Sequence, residues 1–151
     1  IALGSWFNAT EGTFVVEFIP GAPSTTTAAQ VFIVVSNGTV GEIYSIYRVG
    51  ATGNAGYFVA DGGAAQVNIG NGGAINSNSQ NRIAAVYKLN DFSISANSGA
   101  VVTDAAGTLP SPVTVYFGST KWTADFLNGW LRKLAYYPVR LPNGQLPNLY
   151  A

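Results

Sequence analysis

Apolar and polar residues alternate with a period of two along most of this chain, the pattern of half-buried β-strands. From Thr13 to Ile19, Phe14, Val16 and Phe18 share one face, and Val15, Glu17 and Ile19 share the other. Pro20-Gly21 ends that run, and "GAPSTTTAAQ" reads as a loop. Further strands are predicted at Gln30–Ser36, Glu42–Val49, Gly56–Ala60, Gln66–Ile69, Asn81–Leu89, Asp91–Ala96, Val101–Thr103, Val113–Gly118 and Trp130–Tyr137. Turn chemistry separates them: "SNGT", "GATGNAG", "ADGGAA" and "NSG". "GNGGAINSNSQN", "GTLPSP" and "STKWTADFLN" read as longer loops. Roughly ten short strands with turns about every 8–12 residues predict an all-β, antiparallel two-sheet sandwich. With no helical period, repeat or linker, residues 1–151 are read as a single β-sandwich domain.

The last strand breaks the alternation. In "LRKLAYY", neither Leu131, Lys133, Ala135 and Tyr137 nor Arg132, Leu134 and Tyr136 make a clean apolar face. A bulge near Arg132-Lys133 would place Leu131, Leu134 and Tyr136 on the core side and both cations in solvent. The competing reading is a cationic patch flanked by Trp130 and Tyr137 that grips an acidic sugar or partner.

The segments "NDFSISANSGAVVTDAAGTLPSPVTVYFGS" and "NGWLRKLAYYPVRLPNGQLPNLYA" resemble the C-terminal half of phage tail and virion proteins with a concanavalin A-like, laminin G-like jelly roll. "SWFNATEGTFVVEF" resembles the opening strand of that family, and "NRIAAVYKLNDF" its central one. The resemblance implies two packed antiparallel sheets serving as a virion-surface or glycan-binding module. The family often adds a short polar helix after the final strand. Here Pro142 and Pro147 leave room for little more than a turn. Packing of this tail on its own sandwich or on a neighbour stays open.

Composition narrows the chemistry. Seven Lys and Arg balance seven Asp and Glu, which argues against nucleic acid, whose phosphates require concentrated cations. No apolar run approaches the roughly 20 residues of a membrane-spanning helix. The opening residues do not read as a signal peptide, and the absence of an initiating Met points to a processed chain or a fragment. There is no His and no Cys, which removes Ser-His-Asp, Cys-His and His-metal arrangements. The carboxylates Glu11, Glu17, Glu42, Asp61, Asp91, Asp104 and Asp125 form no i, i+2 or i, i+4 pair suited to glycoside hydrolysis. Asp61 before Gly62-Gly63 and Asp91 after Asn90 read as turn residues rather than metal ligands. No catalytic residue, metal or cofactor is predicted.

The aromatics carry the functional expectation. A ring face stacks on a sugar's C–H face while a few amides and carboxylates supply hydrogen bonds. Trp122, between Lys121 and Asp125 in "STKWTADF", is the candidate platform, although it could instead plug one end of the sandwich. Asn78 and Asn81, in the amide-rich loop, are the candidate hydrogen-bonding residues, although that loop could simply be solvated. Trp6 and Phe7 are expected to cover the core edge, and Tyr44, Tyr47 and Tyr57 to line a sheet face. The function expected is a non-enzymatic module on a phage or virus-like particle surface. It would bind host-surface glycans and other virion proteins, as a homo-oligomer, without nucleic acid or membrane insertion. The alternative is a purely structural virion decoration or assembly domain without a sugar site.

Overall fold

Ten strands form where the alternation runs, and they pair into two antiparallel five-stranded sheets in a computed structural model describing residues 1–22, 28–120 and 125–149. The strands are β1 (Glu11–Pro20), β2 (Gln30–Ser36), β3 (Ile43–Arg48), β4 (Ala55–Asp61), β5 (Ala64–Ile69), β6 (Asn81–Lys88), β7 (Phe92–Ala96), β8 (Val102–Asp104), β9 (Thr114–Phe117) and β10 (Gly129–Tyr137). One sheet has the order β10-β1-β6-β7-β8, the other β5-β4-β3-β2-β9. Residues 1–3 extend the second sheet along β9: Ala2 bridges Thr114, and Leu3 N–H donates to the Val113 carbonyl.

The core lies between the sheets. Phe14, Val16 and Phe18 from β1 face Phe32, Ile33 and Val35 from β2, with Tyr44, Tyr57 and Tyr87 filling the centre. The rings of Phe18 and Phe32 stack with centroids 3.7 Å apart and join the two sheets. Phe7 seals one margin by stacking on Tyr87 and Tyr136, while Trp6 lies edge-on to Phe7 and Tyr136 and stays partly exposed. A closed hydrogen-bond ring holds that margin: Asn8 N–H donates to Tyr136 Oη, which meets Tyr87 Oη at 2.8 Å, and Tyr87 O–H donates to the Asn8 carbonyl.

Three register shifts occur in the described ladders, and those on β10 and β2 decide which of their side chains face outward. On β10 the shift falls between the Glu17–Lys133 and Phe18–Leu131 pairs, so Arg132 is the extra residue. Leu131 and Tyr136 pack on the core and Arg132 and Lys133 are exposed, as the bulge reading expects, but Leu134, expected on the core side too, is 38% exposed on this edge strand. On β2 the shift falls between Val31 and Ile33, which turns both Phe32 and Ile33 inward and leaves Val31 and Val34 on the outer face.

The tail packs on its own sandwich. After β10 the chain crosses the outer face of the first sheet and forms a short 3-10 helix, Asn143–Asn148, with Pro147 inside it, more than the single turn the prolines were expected to allow. Leu146 is buried there against Val15, Ala84 and Val86, with Leu141 and Leu149 beside it.

Burial keeps the phenols of Tyr44, Tyr57 and Tyr87 protonated by raising their pKa values above the ordinary tyrosine range. The Tyr44 and Tyr57 hydroxyls have no hydrogen-bond partner among the described residues. An unmet buried hydroxyl costs about 1–3 kcal/mol. Tyr57→Phe is therefore expected to raise stability by about 1 kcal/mol, read as a higher urea midpoint at unchanged slope. A lower midpoint would show that the hydroxyl has a partner.

Candidate functional site

The outer faces of the two sheets differ. The tail covers part of one. The other, formed by β9, β2, β3 and β4, is unusually apolar for a surface layer, with Val31, Val34, Ile43 and Ala60 buried and Tyr47, Phe58 and Tyr116 packed beside them. Cross-strand register arranges these residues in rows. One row runs Tyr116, Val34, Ser45, Phe58, Asn68. The next runs Val31, Tyr47, Gly56. The Tyr47 ring lies on Gly56: a Cβ there would come within 2.5 Å of Tyr47 Cζ. Glycine thus lets the ring lie flat across the sheet, an aromatic covering a glycine on the neighbouring strand.

These rows floor a groove of about 230 Å³ lined by Ala29, Val31, Val40, Ile43, Ser45, Tyr47, Phe58, Thr120 and Asp125. Its composition is mostly aliphatic and aromatic with a few polar groups, the usual make-up of a small-ligand site. Ser45 is the most telling of the polar ones. It is only 7% exposed, yet its hydroxyl makes no hydrogen bond to a described residue. Its row neighbours, Val34 and Phe58, have no side-chain polar atoms. The Tyr47 hydroxyl likewise has no partner among the described residues, and burial pushes its pKa up, so it is a neutral donor. The groove therefore presents an aromatic floor with two hydroxyls free to bond a guest.

The described ends of the segment joining β9 to β10 are pinned beside the groove. Gly118 N–H donates to the Phe32 carbonyl, and Leu127 N–H closes the loop on the Gly118 carbonyl at 2.8 Å. Buried Gln30 adds a clamp, donating to the carbonyls of Gly21 and Leu127 and accepting from Arg48 at 3.1 Å. Arg48 thereby points away from the groove, toward Gln30 and Ser77, whereas its neighbour Tyr47 points into it.

The residues predicted from sequence fall in three places. Asp125 lines the groove, together with Thr120 from the same loop. Lys121 and Trp122, between them in sequence, lie outside the described residues. Asn78 is exposed at the tip of its loop with φ 57°, and its backbone N–H donates to the Pro20 carbonyl. Asn81 departs from the expectation of a ligand contact. It is 1% exposed. Its Oδ1 accepts from Asn76 N–H and Asn97 Nδ2, and its Nδ2 donates to the Asn76 and Ser79 carbonyls. That uses its full hydrogen-bonding capacity on shaping the loop. The groove residues Ser45, Tyr47 and Phe58 were not singled out together by sequence. Their signal was "VFIVV" and "IYSIY", runs too apolar for strands with one wet face.

No family model matches the sequence, and no curated protein matches it. Solved structures do match its shape. The CBM40 of the Ruminococcus gnavus IT-sialidase superposes with a TM-score of 0.73 at 18% identity, over 93% of this chain and 82% of that one. That CBM40 has also been solved bound to α2,3- and α2,6-sialyllactose. The NanB sialidase of Streptococcus pneumoniae matches with a TM-score of 0.74 at 15% identity, over 95% of this chain but 24% of the enzyme. A heptameric SAP-like pentraxin from Limulus polyphemus matches with a TM-score of 0.66 at 15% identity, over 91% of this chain and 68% of the pentraxin. Together with the paired five-stranded sheets, these likenesses show that the chain has the concanavalin A-like jelly-roll fold.

Proposed function

We propose that this chain is a non-catalytic glycan-binding module whose sugar site is the groove on β2, β3 and β4. The observation that carries the reading is the Ser45 hydroxyl, on a residue only 7% exposed and without a hydrogen bond among the described residues, set on an apolar floor beside the Tyr47 and Phe58 rings. A pyranose has the matching character, with C–H faces that pack on rings and hydroxyls that pair with isolated polar groups. The sialyllactose complexes of a similarly folded CBM40 support a carbohydrate as ligand. Lys121 and Trp122, which lie between Thr120 and Asp125 in sequence, stay part of the proposal on the sequence reading alone. Display on a phage or virion surface, alongside other virion proteins and in several copies, is the cellular setting we propose, resting on the sequence resemblance. Copy number would there convert weak single sites into firm attachment.

The test is a glycan array at multivalent density, run with wild type, Phe58→Ala and Ser45→Ala. Wild type is expected to bind a defined glycan set. Phe58→Ala is expected to weaken binding about tenfold or more, and Ser45→Ala about threefold to tenfold. A blank wild-type array, or hits that neither variant alters, would overturn the reading and favour a structural role.

A further inference from the structure

The opposite sheet carries exposed aromatic and basic side chains apart from the groove. Trp130 is 69% exposed and Phe126 59%. The turn that leads into Trp130 is pinned against β1. Gly129 sits so close to β1 that a Cβ would lie 2.2 Å from the Ile19 carbonyl oxygen and 2.8 Å from Pro20 Cα. Gly21 N–H donates to the Asn128 carbonyl at 2.6 Å, and Asn128 Nδ2 donates to the Ala22 carbonyl at 2.8 Å. An exposed indole on a fixed backbone loses little entropy when it meets a partner.

The bulge at Arg132 determines what stands beside that ring. In a regular strand, residues three apart lie on opposite faces. Here Trp130 pairs with Ile19 and Lys133 with Glu17, two residues apart on β1. Trp130 and Lys133 therefore share the outer face, about 7 Å apart along the strand. Glu17 lies between Lys133 on β10 and Arg82 on β6 in the ladder, and Gln80 donates to it. Arg132 is exposed and forms no ion pair or hydrogen bond among the described residues. Lys133 and Arg82 thus flank Glu17 on the neighbouring strands, Arg82 also donating to Ser98 Oγ and the Pro147 carbonyl, and the exposed Arg132 precedes Lys133 in the chain. The tail packs over Val15, Ala84 and Val86 and reaches Arg82 through the Pro147 carbonyl, leaving Trp130, Arg132 and Lys133 exposed.

We infer that Trp130, Arg132 and Lys133 form a binding site for a carboxylate-bearing sugar, such as a uronic acid residue. The indole would stack on the pyranose ring, and Arg132 would take the carboxylate, for which a guanidinium fork is the matching shape. The exposed Arg132 guanidinium favours an anion. It also disfavours a second copy, because pairing two β10 edges would bring like charges together.

The experiment is a titration of ¹⁵N-labelled protein with trigalacturonate, with maltotriose and a short poly-glutamate as comparison probes. Trigalacturonate is expected to shift the Trp130 indole and the β10 amides saturably, and to bind more weakly as salt rises. Trp130→Ala is expected to weaken it about tenfold and Arg132→Gln about fivefold, with partial recovery in Arg132→Lys. Three results would overturn the proposal: no saturable shift at β10, equal shifts with maltotriose, or tighter binding of poly-glutamate, which would mark an acidic-protein surface. Because shifts are read residue by residue, failure here is distinguishable from failure at the groove.

Discussion

Phe32→Ala is expected to lower the unfolding free energy by about 3–5 kcal/mol, and the melting temperature by roughly 10 °C. Phe32 is the residue turned inward by the β2 bulge, fully buried, with its ring stacked on Phe18 of the facing sheet. Its loss removes apolar burial and leaves a cavity where the sheets meet, and neither sheet can close on the other without disturbing its own ladder. Total stability of a domain this size is about 5–15 kcal/mol, so the variant would retain only part of it. Phe32→Leu should cost much less because it leaves a smaller void. Urea titration monitored by far-UV circular dichroism measures both. A loss below about 1 kcal/mol for the alanine variant would contradict the packing described.

The tail gives the second large effect. Leu146→Ala is expected to cost about 2–4 kcal/mol and to increase amide exchange from Val139 to Leu149. Leu146 is the buried anchor of that segment. Arg140 ties the tail's other end. Its backbone N–H donates to Glu11 Oε2 at 3.0 Å and its guanidinium to Asp91 Oδ1 at 2.7 Å, Asn143 Oδ1 and the Leu141 carbonyl. Thr13 adds a reciprocal pair, donating to the Val139 carbonyl and accepting from Leu141 N–H. If Leu146→Ala left both exchange and stability unchanged, the tail would not be packed on this sheet.

The strands were legible because period-two burial and turn residues act locally. Gln30–Ser36 is the strand predicted, and the other boundaries move by a few residues at most. The β10 bulge was legible for a related reason: two adjacent cations cannot alternate into a core without cost, so the chain shifts register at Arg132. The β2 bulge left no such mark. Val31 through Val35 are all apolar, so any phase looks acceptable, and which of them face outward depends on pairing with Tyr47, Ile46 and Ser45. That hid the groove. Asn81 misled for the opposite reason. Amide-rich composition is shared by wet loops and by loops with an internal hydrogen-bonded frame, and only the three-dimensional contacts with Asn76, Ser79 and Asn97 distinguish them.

The central claim, that the outer face of β2, β3 and β4 holds a sugar, is tested most directly by where a bound glycan touches the protein. The measurement is chemical-shift mapping of ¹⁵N-labelled protein titrated with the strongest glycan from the array. The account predicts saturable shifts at Val31, Ser45, Tyr47, Phe58 and Asp125, with the core amides of β6 and β7 unmoved. Saturable shifts confined to another surface, with Ser45 and Phe58 silent, would contradict it.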